Sequence, residues 1–149
     1  MRVSPAVGVI GLGEIGRGVA EGVLRAGLDL VVCDVLPEAT ATFAGRATVA
    51  AGPAELGTAS DVIVVAVVDD AQVLAVLDPV GGALSSVSPG STVLLLSTVA
   101  PATVDRVAAM CGDKGVGVVD CGVSGGPAAA AEGGLVAMVG GDDDALGRV

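Results

Sequence analysis

Three glycines and one carboxylate carry the first chemical signal in this sequence. Gly11, Gly13 and Gly16 stand in the spacing G-x-G-x-x-G, directly after the apolar run Val7-Gly8-Val9-Ile10. The residues that follow take up helical spacing. Strand, glycine turn and helix form the context in which this spacing binds the pyrophosphate of a dinucleotide. Gly11 permits the tight turn, Gly13 lets the backbone come close to the pyrophosphate, and Gly16 lets the helix pack on the strand. The backbone N–H groups and the positive dipole end of the new helix then face the phosphates. Such glycines also serve plain turns, so a second residue matters. Leu28-Asp-Leu-Val-Val-Cys-Asp34 reads as the next strand and ends on Asp34, 18 residues beyond Gly16. That is close to the spacing of a carboxylate that accepts ribose hydroxyls. The competing use of Asp34 is to cap the helix that Pro37 opens. A carboxylate here repels a 2′-phosphate and favours NAD over NADP, and no Arg follows it directly.

Two later stretches hold groups suited to a small anionic ligand. Ser124-Gly125-Gly126 offers a hydroxyl and two glycines with approachable backbone N–H groups, a set that suits a carboxylate. It is equally the composition of a tight turn. Thr98 stands shortly before Pro101, where its hydroxyl can serve a ligand or cap the helix that Pro101 begins. Each stretch follows a run that reads as a strand, so both belong at the carboxyl edge of a sheet, where open α/β folds bind ligands.

Composition narrows the partners. The 149 residues suit one domain, and 52% are hydrophobic, so a core is easily built. Phe43 is the lone aromatic residue, which leaves the core to Val, Leu, Ile and Ala. Seven basic residues against seventeen acidic ones give a net charge of −10, which argues against nucleic acid and anionic membrane surfaces. An anionic ligand must then be held by backbone N–H groups. Cys33, Cys111 and Cys121 are widely spaced, with no C-x-x-C and no His in the chain, so no metal site is expected and the thiols read as small buried hydrophobes. The N-terminus carries one Arg and enters a strand within a few residues, unlike a signal peptide. No apolar run reaches the roughly 18 residues needed to cross a membrane. A soluble, cytoplasmic protein is expected.

The elements that must position these groups alternate. The first strand covers 6–11, and a helix follows from about Glu14 to Ala26. Ile15, Val19, Val23 and Ala26 share one face of it; Gly18 and Gly22 read as close-packing positions, and Gly27 as the stop. The second strand is 28–34. Pro37 starts a short helix to about Ala44, Ala47–Ala50 reads as a short strand, and Gly52 and Pro53 mark a turn before a helical piece ending near Gly57. Asp61–Val67 is the near-continuous apolar strand of a parallel sheet covered on both faces. Asp69 or Asp70 caps the next helix, whose Val73, Leu74 and Leu77 face inward. Ser91–Leu96 is the fifth strand. The helix from Pro101 has Val104, Val107, Ala108 and Cys111 on its apolar face. Val116–Asp120 is the sixth strand, Gly122–Pro127 a glycine turn, 128–132 a helical turn, and Leu135–Val139 a further strand. Asp142 caps a last helix that runs about two turns to Val149. The alternation predicts a doubly wound, mostly parallel α/β sheet of Rossmann type. Residues 1–149 are one dinucleotide-binding domain whose last helix, from about 142, is cut short, as in the first domain of something longer.

Three stretches together resemble the 3-hydroxyacid (β-hydroxyacid) dehydrogenase family, which includes 3-hydroxyisobutyrate and tartronate semialdehyde enzymes. The first is Gly11-Leu-Gly-Glu-Ile-Gly16 leading to Asp34-Val-Leu-Pro-Glu38. The second, Leu96-Ser-Thr-Val-Ala-Pro101, is similar to the family's S-T-x-x-P after the fifth strand. The third is Asp120-Cys-Gly-Val-Ser-Gly-Gly-Pro127 with Ala131-Glu-Gly-Gly-Leu135 and Met138-Val-Gly-Gly141; it resembles the substrate signature D-x-x-V-S-G-G-x-x-x-A-x-x-G-x-L. The chain departs from the family at Ile15, where Met is usual, and at Leu95, where Asp is frequent.

The resemblance implies roles. Gly11, Leu12, Gly13, Glu14, Ile15 and Gly16 would hold the pyrophosphate, and Asp34 the adenine ribose. Val67, Val68 and Gln72 would lie along the cofactor, with Thr98 beside the nicotinamide. Ser124, Gly125 and Gly126 would grip the carboxylate and hydroxyl of a small 3-hydroxy acid. Ser124 and Thr98 are the catalytic candidates, because the family's general acid is a Lys on a helix of a following all-helical domain that this chain lacks. Lys114, the chain's one Lys, precedes the sixth strand and so belongs at the opposite edge, as a solvated turn residue. The expectation is an NAD-dependent dehydrogenase domain that binds cofactor but turns over nothing alone, from a parent that is a homo-oligomer. The alternatives are a free-standing dinucleotide sensor, and an imine reductase, which has less use for a carboxylate clamp.

Overall fold

The computed structural model describes residues 4–149. Residues 1–3, on which the reading of the N-terminus partly rests, lie outside that range. The elements are β1 (Ala6–Ile10), α1 (Glu14–Arg25), β2 (Asp29–Cys33), α2 (Pro37–Ala41), β3 (Thr48–Val49), α3 (Pro53–Ala59), β4 (Val62–Val65), α4 (Asp70–Val76), a 3-10 turn (Ala83–Ser85), β5 (Thr92–Leu95), α5 (Pro101–Gly112), β6 (Gly117–Ser124), α6 (Gly126–Glu132), β7 (Val136–Gly141) and α7 (Asp143–Leu146). The seven strands form one sheet in the order β3-β2-β1-β4-β5-β6-β7. The first six are parallel; β7 runs antiparallel to β6. This is the doubly wound α/β sheet that the alternation predicts.

The strands β1, β2, β4 and β5 at the centre of the sheet are buried on both faces, where successive side chains point to opposite sides. In β4, Ile63 and Val65 join Leu56 of α3, Val73 of α4, and Val107 and Cys111 of α5. Val64 points the other way, to Val9, Val32, Ala20 of α1 and Phe43. Each such fully buried aliphatic side chain contributes about 1.5–3 kcal/mol. The lone aromatic, Phe43, is wholly buried, and Arg46 lies over its ring at 5.8 Å while bridging to Glu21 of α1 at 2.6 Å. All three cysteines are free and buried, as expected.

Local expectations fail where long-range packing decides. On α1, Ile15, Val19 and Val23 do pack inward, but Ala26 is the exposed C-cap. Gly18 is a close-packing position, since a Cβ there would stand 2.6 Å from the Cβ of Ala130 on α6. Gly22 is not: its nearest neighbour, at 3.7 Å, is the tip of Arg25. On α5 the buried face holds Thr103, Val107 and Cys111, and Ala108 is exposed. The largest correction is β6. It continues through Gly122 to Ser124, where a glycine turn was expected, because β7 pairs with it from Val119↔Gly141 to Ser124↔Val136. Strand β4 stops at Val65, short of Val67, and α2 stops at Ala41, short of Ala44. Helix α7 is a single turn with its C-cap at Gly147, rather than two turns, and Asp142 caps it by accepting the Ala145 N–H at 2.7 Å. No helix among the described residues is long and apolar enough to cross a membrane.

Candidate functional site

Strand order reverses between β1 and β4. Connections leave the carboxyl ends of these neighbours in opposite directions, which opens a crevice at that edge. Across the edge, in order, stand Asp34 after β2, the 11–16 loop after β1, residues 66–69 after β4, Ser97 and Thr98 after β5, and Ser124 to Gly126 at the end of β6. The structure thus brings every predicted site residue to one edge. Lys114 sits exposed in the turn before β6, at the other edge. Two open depressions of about 470 and 580 Å³ also lie at that amino edge, around Gly117 with Asp142 to Asp144 and around Asp29 with Arg46, away from the crevice.

The glycine loop is built tightly against β4. Gly11 has φ +91, and a Cβ on it would stand 2.4 Å from the Ala66 carbonyl oxygen. A Cβ on Gly16 would lie 1.8 Å from the Gly11 carbonyl oxygen. Gly13 differs from both. Its φ of −62 suits any residue, and nothing of the chain lies within 4 Å of where its Cβ would be. Neither conformation nor packing calls for glycine there; the space is open to the outside. Gly13 is also the N-cap of α1, with no side chain capping the helix, so the first-turn N–H groups of α1 point outward.

Asp34 is fastened to this loop. Its Oδ2 accepts the Leu12 N–H at 2.6 Å and its Oδ1 accepts the Leu36 N–H at 2.9 Å. Leu36 is itself the N-cap of α2 and receives no side-chain cap, so Asp34 is not the cap of that helix. A carboxylate has about four acceptor positions, so two remain for other donors.

The next two loops are cross-linked. The Val67 N–H donates to Ser97 Oγ at 2.9 Å, and Ser97 Oγ donates to the Val65 carbonyl at 3.4 Å. The Val68 N–H donates to Gln72 Oε1 at 3.0 Å, and the Gln72 N–H to Asp69 Oδ1 at 2.8 Å, so Gln72 is folded back on its own loop. Asp69 caps α4. Asp70 instead reaches the start of α5, where its Oδ1 accepts the Ala100 N–H at 3.0 Å and the Thr103 hydroxyl at 2.5 Å. The Thr103 hydroxyl first, and the Ala100 N–H second, hold the Asp70 carboxyl below its usual range. Sequence reasoning treated Asp69 and Asp70 as alternatives; the fold uses both. It also passed over Ser97, which is buried, in favour of Thr98, which is exposed. The cap of α5 is Ala100, so Thr98 is not that cap. An apolar strand followed by a Ser was the only signal available for Ser97.

At β6 the chain turns through two left-handed glycines, Gly125 at φ +127 and Gly126 at φ +69. A Cβ on Gly126 would meet nothing within 4 Å, the same open surrounding as at Gly13. Ser124 precedes them as the last, exposed residue of the strand. Leu95, which stands where the resembled family often has Asp, is wholly buried in the core.

Comparison with known proteins gives the family and the fold. Residues 6–149 match the family described as the NAD binding domain of 6-phosphogluconate dehydrogenase. The L-threonate dehydrogenase of Cupriavidus necator is 40% identical over 144 residues, which are 96% of this chain and 48% of that enzyme. The crystal structure of a 3-hydroxyisobutyrate dehydrogenase from Salmonella typhimurium superposes with a TM-score of 0.91 at 35% identity, covering 97% of this chain and 51% of the other. A structure of Psf3 in complex with NADP+ and 2-OPP superposes with a TM-score of 0.88 at 30% identity, covering 95% and 50%. The chain spans about half the length of the curated relatives it matches. By the family match over residues 6–149, and with a Rossmann-like sheet, the chain belongs to the NAD binding domains of the 6-phosphogluconate dehydrogenase family, among relatives that include 3-hydroxyisobutyrate and L-threonate dehydrogenases.

Proposed function

We propose that this chain is the cofactor-binding domain of an NAD-dependent 3-hydroxyacid dehydrogenase, whose parent transfers hydride between NAD and a small 3-hydroxy acid. The observation that carries the reading is the open space at Gly13 beside the carboxylate of Asp34. The residues present fit a dinucleotide: outward N–H groups of α1 for the pyrophosphate, and two spare acceptor positions on Asp34 for ribose hydroxyls. Bound there, the nicotinamide supplies the hydride donor or acceptor. Asp34 after β2 would hold the adenosine ribose, the 11–16 loop after β1 the pyrophosphate, and Val67, Val68 and Thr98 after β4 and β5 the nicotinamide. Gln72, folded onto Val68, acts through that loop.

Ser124, Gly125 and Gly126 hold the substrate carboxylate and hydroxyl at the next position along the edge. The general acid is a Lys outside this sequence, so the chain alone binds cofactor without turnover. Asp34 makes NAD the preferred cofactor over NADP; a family that includes an NADP+ complex leaves that choice to the local residues. The parent is placed in the cytoplasm, a reading supported by three unpaired thiols, and as a homo-oligomer.

Paired titrations with NADH and NADPH, followed by cofactor fluorescence or calorimetry, test the proposal. Clear NADH binding with much weaker NADPH binding is the expected result. Equal binding of both refutes the role of Asp34, and binding of neither refutes the cofactor site. Hydride transfer by this chain alone, at a rate that depends on Ser124, refutes the separation of chemistry from cofactor binding.

A further inference from the structure

We infer that Ser97 is a positioning residue for the nicotinamide half of the cofactor. It works by locking the loop after β4 to the loop after β5. This rests on the dinucleotide reading above and deepens it. The Ser97 hydroxyl is buried and accepts the Val67 N–H at 2.9 Å. Val67 follows the carboxyl end of β4, at the crevice, where no strand partner is available: the ladder with β5 ends at Val65↔Leu95. Without Ser97, the Val67 N–H has no protein acceptor, and a half-buried donor of that kind is costly to leave unpaired. A side chain has therefore taken over the pairing role where the sheet runs out.

A second link fixes the same two loops further from the sheet. Asp70 accepts the Ala100 N–H and the Thr103 hydroxyl, which ties the start of α4 to the start of α5. Val67 is part of the first link, and Val68 and Thr98 lie between the two; these three are the residues proposed to face the nicotinamide. Val68 is 83% exposed, so little of its own packing holds it in place. The two links impose what packing does not. Neither link makes a hydrogen bond to β1, β2 or the 11–16 loop, although the Val67 side chain lies against that loop, 3.1 Å from where a Cβ on Gly11 would stand. Ser97 should therefore bear chiefly on the nicotinamide half of the ligand.

The test uses Ser97→Ala and Ser97→Thr with two probes, NADH and ADP. ADP has the adenosine and pyrophosphate and lacks the nicotinamide. In Ser97→Ala, NADH affinity is expected to fall by about tenfold, the loss of one buried hydrogen bond's worth of order, with ADP affinity unchanged within about twofold. Ser97→Thr keeps the hydroxyl and is expected to stay close to the parent for both probes. Amide exchange gives a readout without ligand: in Ser97→Ala the Val67 amide should lose protection while the β4–β5 ladder keeps its own. Equal losses for NADH and ADP would mean a general structural role and overturn the inference. So would unchanged NADH binding, or a Val67 amide that stays protected. If the parent chain binds ADP and NADH but Ser97→Ala behaves like it, only this inference falls. If the parent binds neither probe, the dinucleotide reading falls and takes the inference with it.

Discussion

The carboxylate of Asp34 accepts the backbone N–H of Leu12 at 2.6 Å, which joins the end of β2 to the glycine loop after β1. The contact orients the acid before any ligand arrives, since one oxygen is committed to the loop and the other to Leu36. An acid on this tether cannot swing away from a 2′-phosphate. Asp34→Asn retains an acceptor for Leu12 but loses the charge. Charge-assisted hydrogen bonds contribute about 1.5–3 kcal/mol, so NADH binding should weaken at least about tenfold. The preference over NADPH should narrow by a similar factor. Parallel titrations of the two reduced cofactors measure both effects. A preference that persists in Asp34→Asn would assign it elsewhere.

Two glycines of the loop separate stability from binding. Gly16→Ala drives a Cβ to 1.8 Å from the Gly11 carbonyl and should destabilise the fold by about 3 kcal/mol or more. Gly13→Ala meets no atom of the chain and should change stability by less than about 1 kcal/mol. It should nonetheless weaken NADH binding sharply, because the added methyl enters the space left for the ligand. Thermal unfolding and NADH titration on the same two variants check the contrast. Equal loss of stability in both would show that Gly13 is structural after all.

The Asp70 clamp gives a pH dependence with a defined sign. Its folded value lies below the ordinary 3.8, because the Thr103 hydroxyl and the Ala100 N–H favour the charged form. A depressed carboxyl contributes stability above its unfolded value and loses it as pH falls through the folded one. Wild type should therefore be more heat-stable than Asp70→Asn at neutral pH, and the gap should shrink as pH falls below 3.8. Melting temperatures measured from neutral to acid would display the convergence; parallel curves throughout would contradict it.

Cys111 offers the opposite case. Burial pushes its thiol from 9.0 up to about 12. A raised value keeps its contribution whole below the unfolded value and loses it as pH climbs toward the folded one. Stability should thus decline between pH 9.0 and about 12, in part through this group. At neutral pH the native protein should react slowly with thiol reagents at all three cysteines, with Cys111, fully buried, the slowest. Mass-spectrometric labelling in native and denaturing buffer tests the order.

The sheet and its helices were legible because period and punctuation agree: continuous apolar runs for the strands, Pro37 and Pro101 at helix starts, and glycine after α1; Pro53, which reads as part of a turn, is the first residue of α3. The glycine loop was legible for the same local reason. What escaped depends on partners far away in sequence. Gly122 to Ser124 read as a turn, and only the pairing with β7 makes it strand. Thr103 shares the stripe of Val107 and Cys111 on α5, and its polar hydroxyl can be buried there because Asp70, 33 positions away, accepts it. Ser97 accepts from a residue 30 positions away, which no local pattern encodes.

The neighbouring of β1 and β4 also has a consequence in time. Val7 pairs with Val62 and Ala6 donates to Asp61, contacts that span 55 residues. A chain emerging from synthesis can set β2 beside β1 early, yet the other edge of β1 stays bare until β4 has been made. Closing that span is slow relative to forming local helices, and a bare apolar edge is what chaperones and like chains seek out. The crevice, which needs both strands, is therefore among the last features to exist. A nascent chain that does not yet extend through Val65 cannot hold it, however well formed its glycine loop.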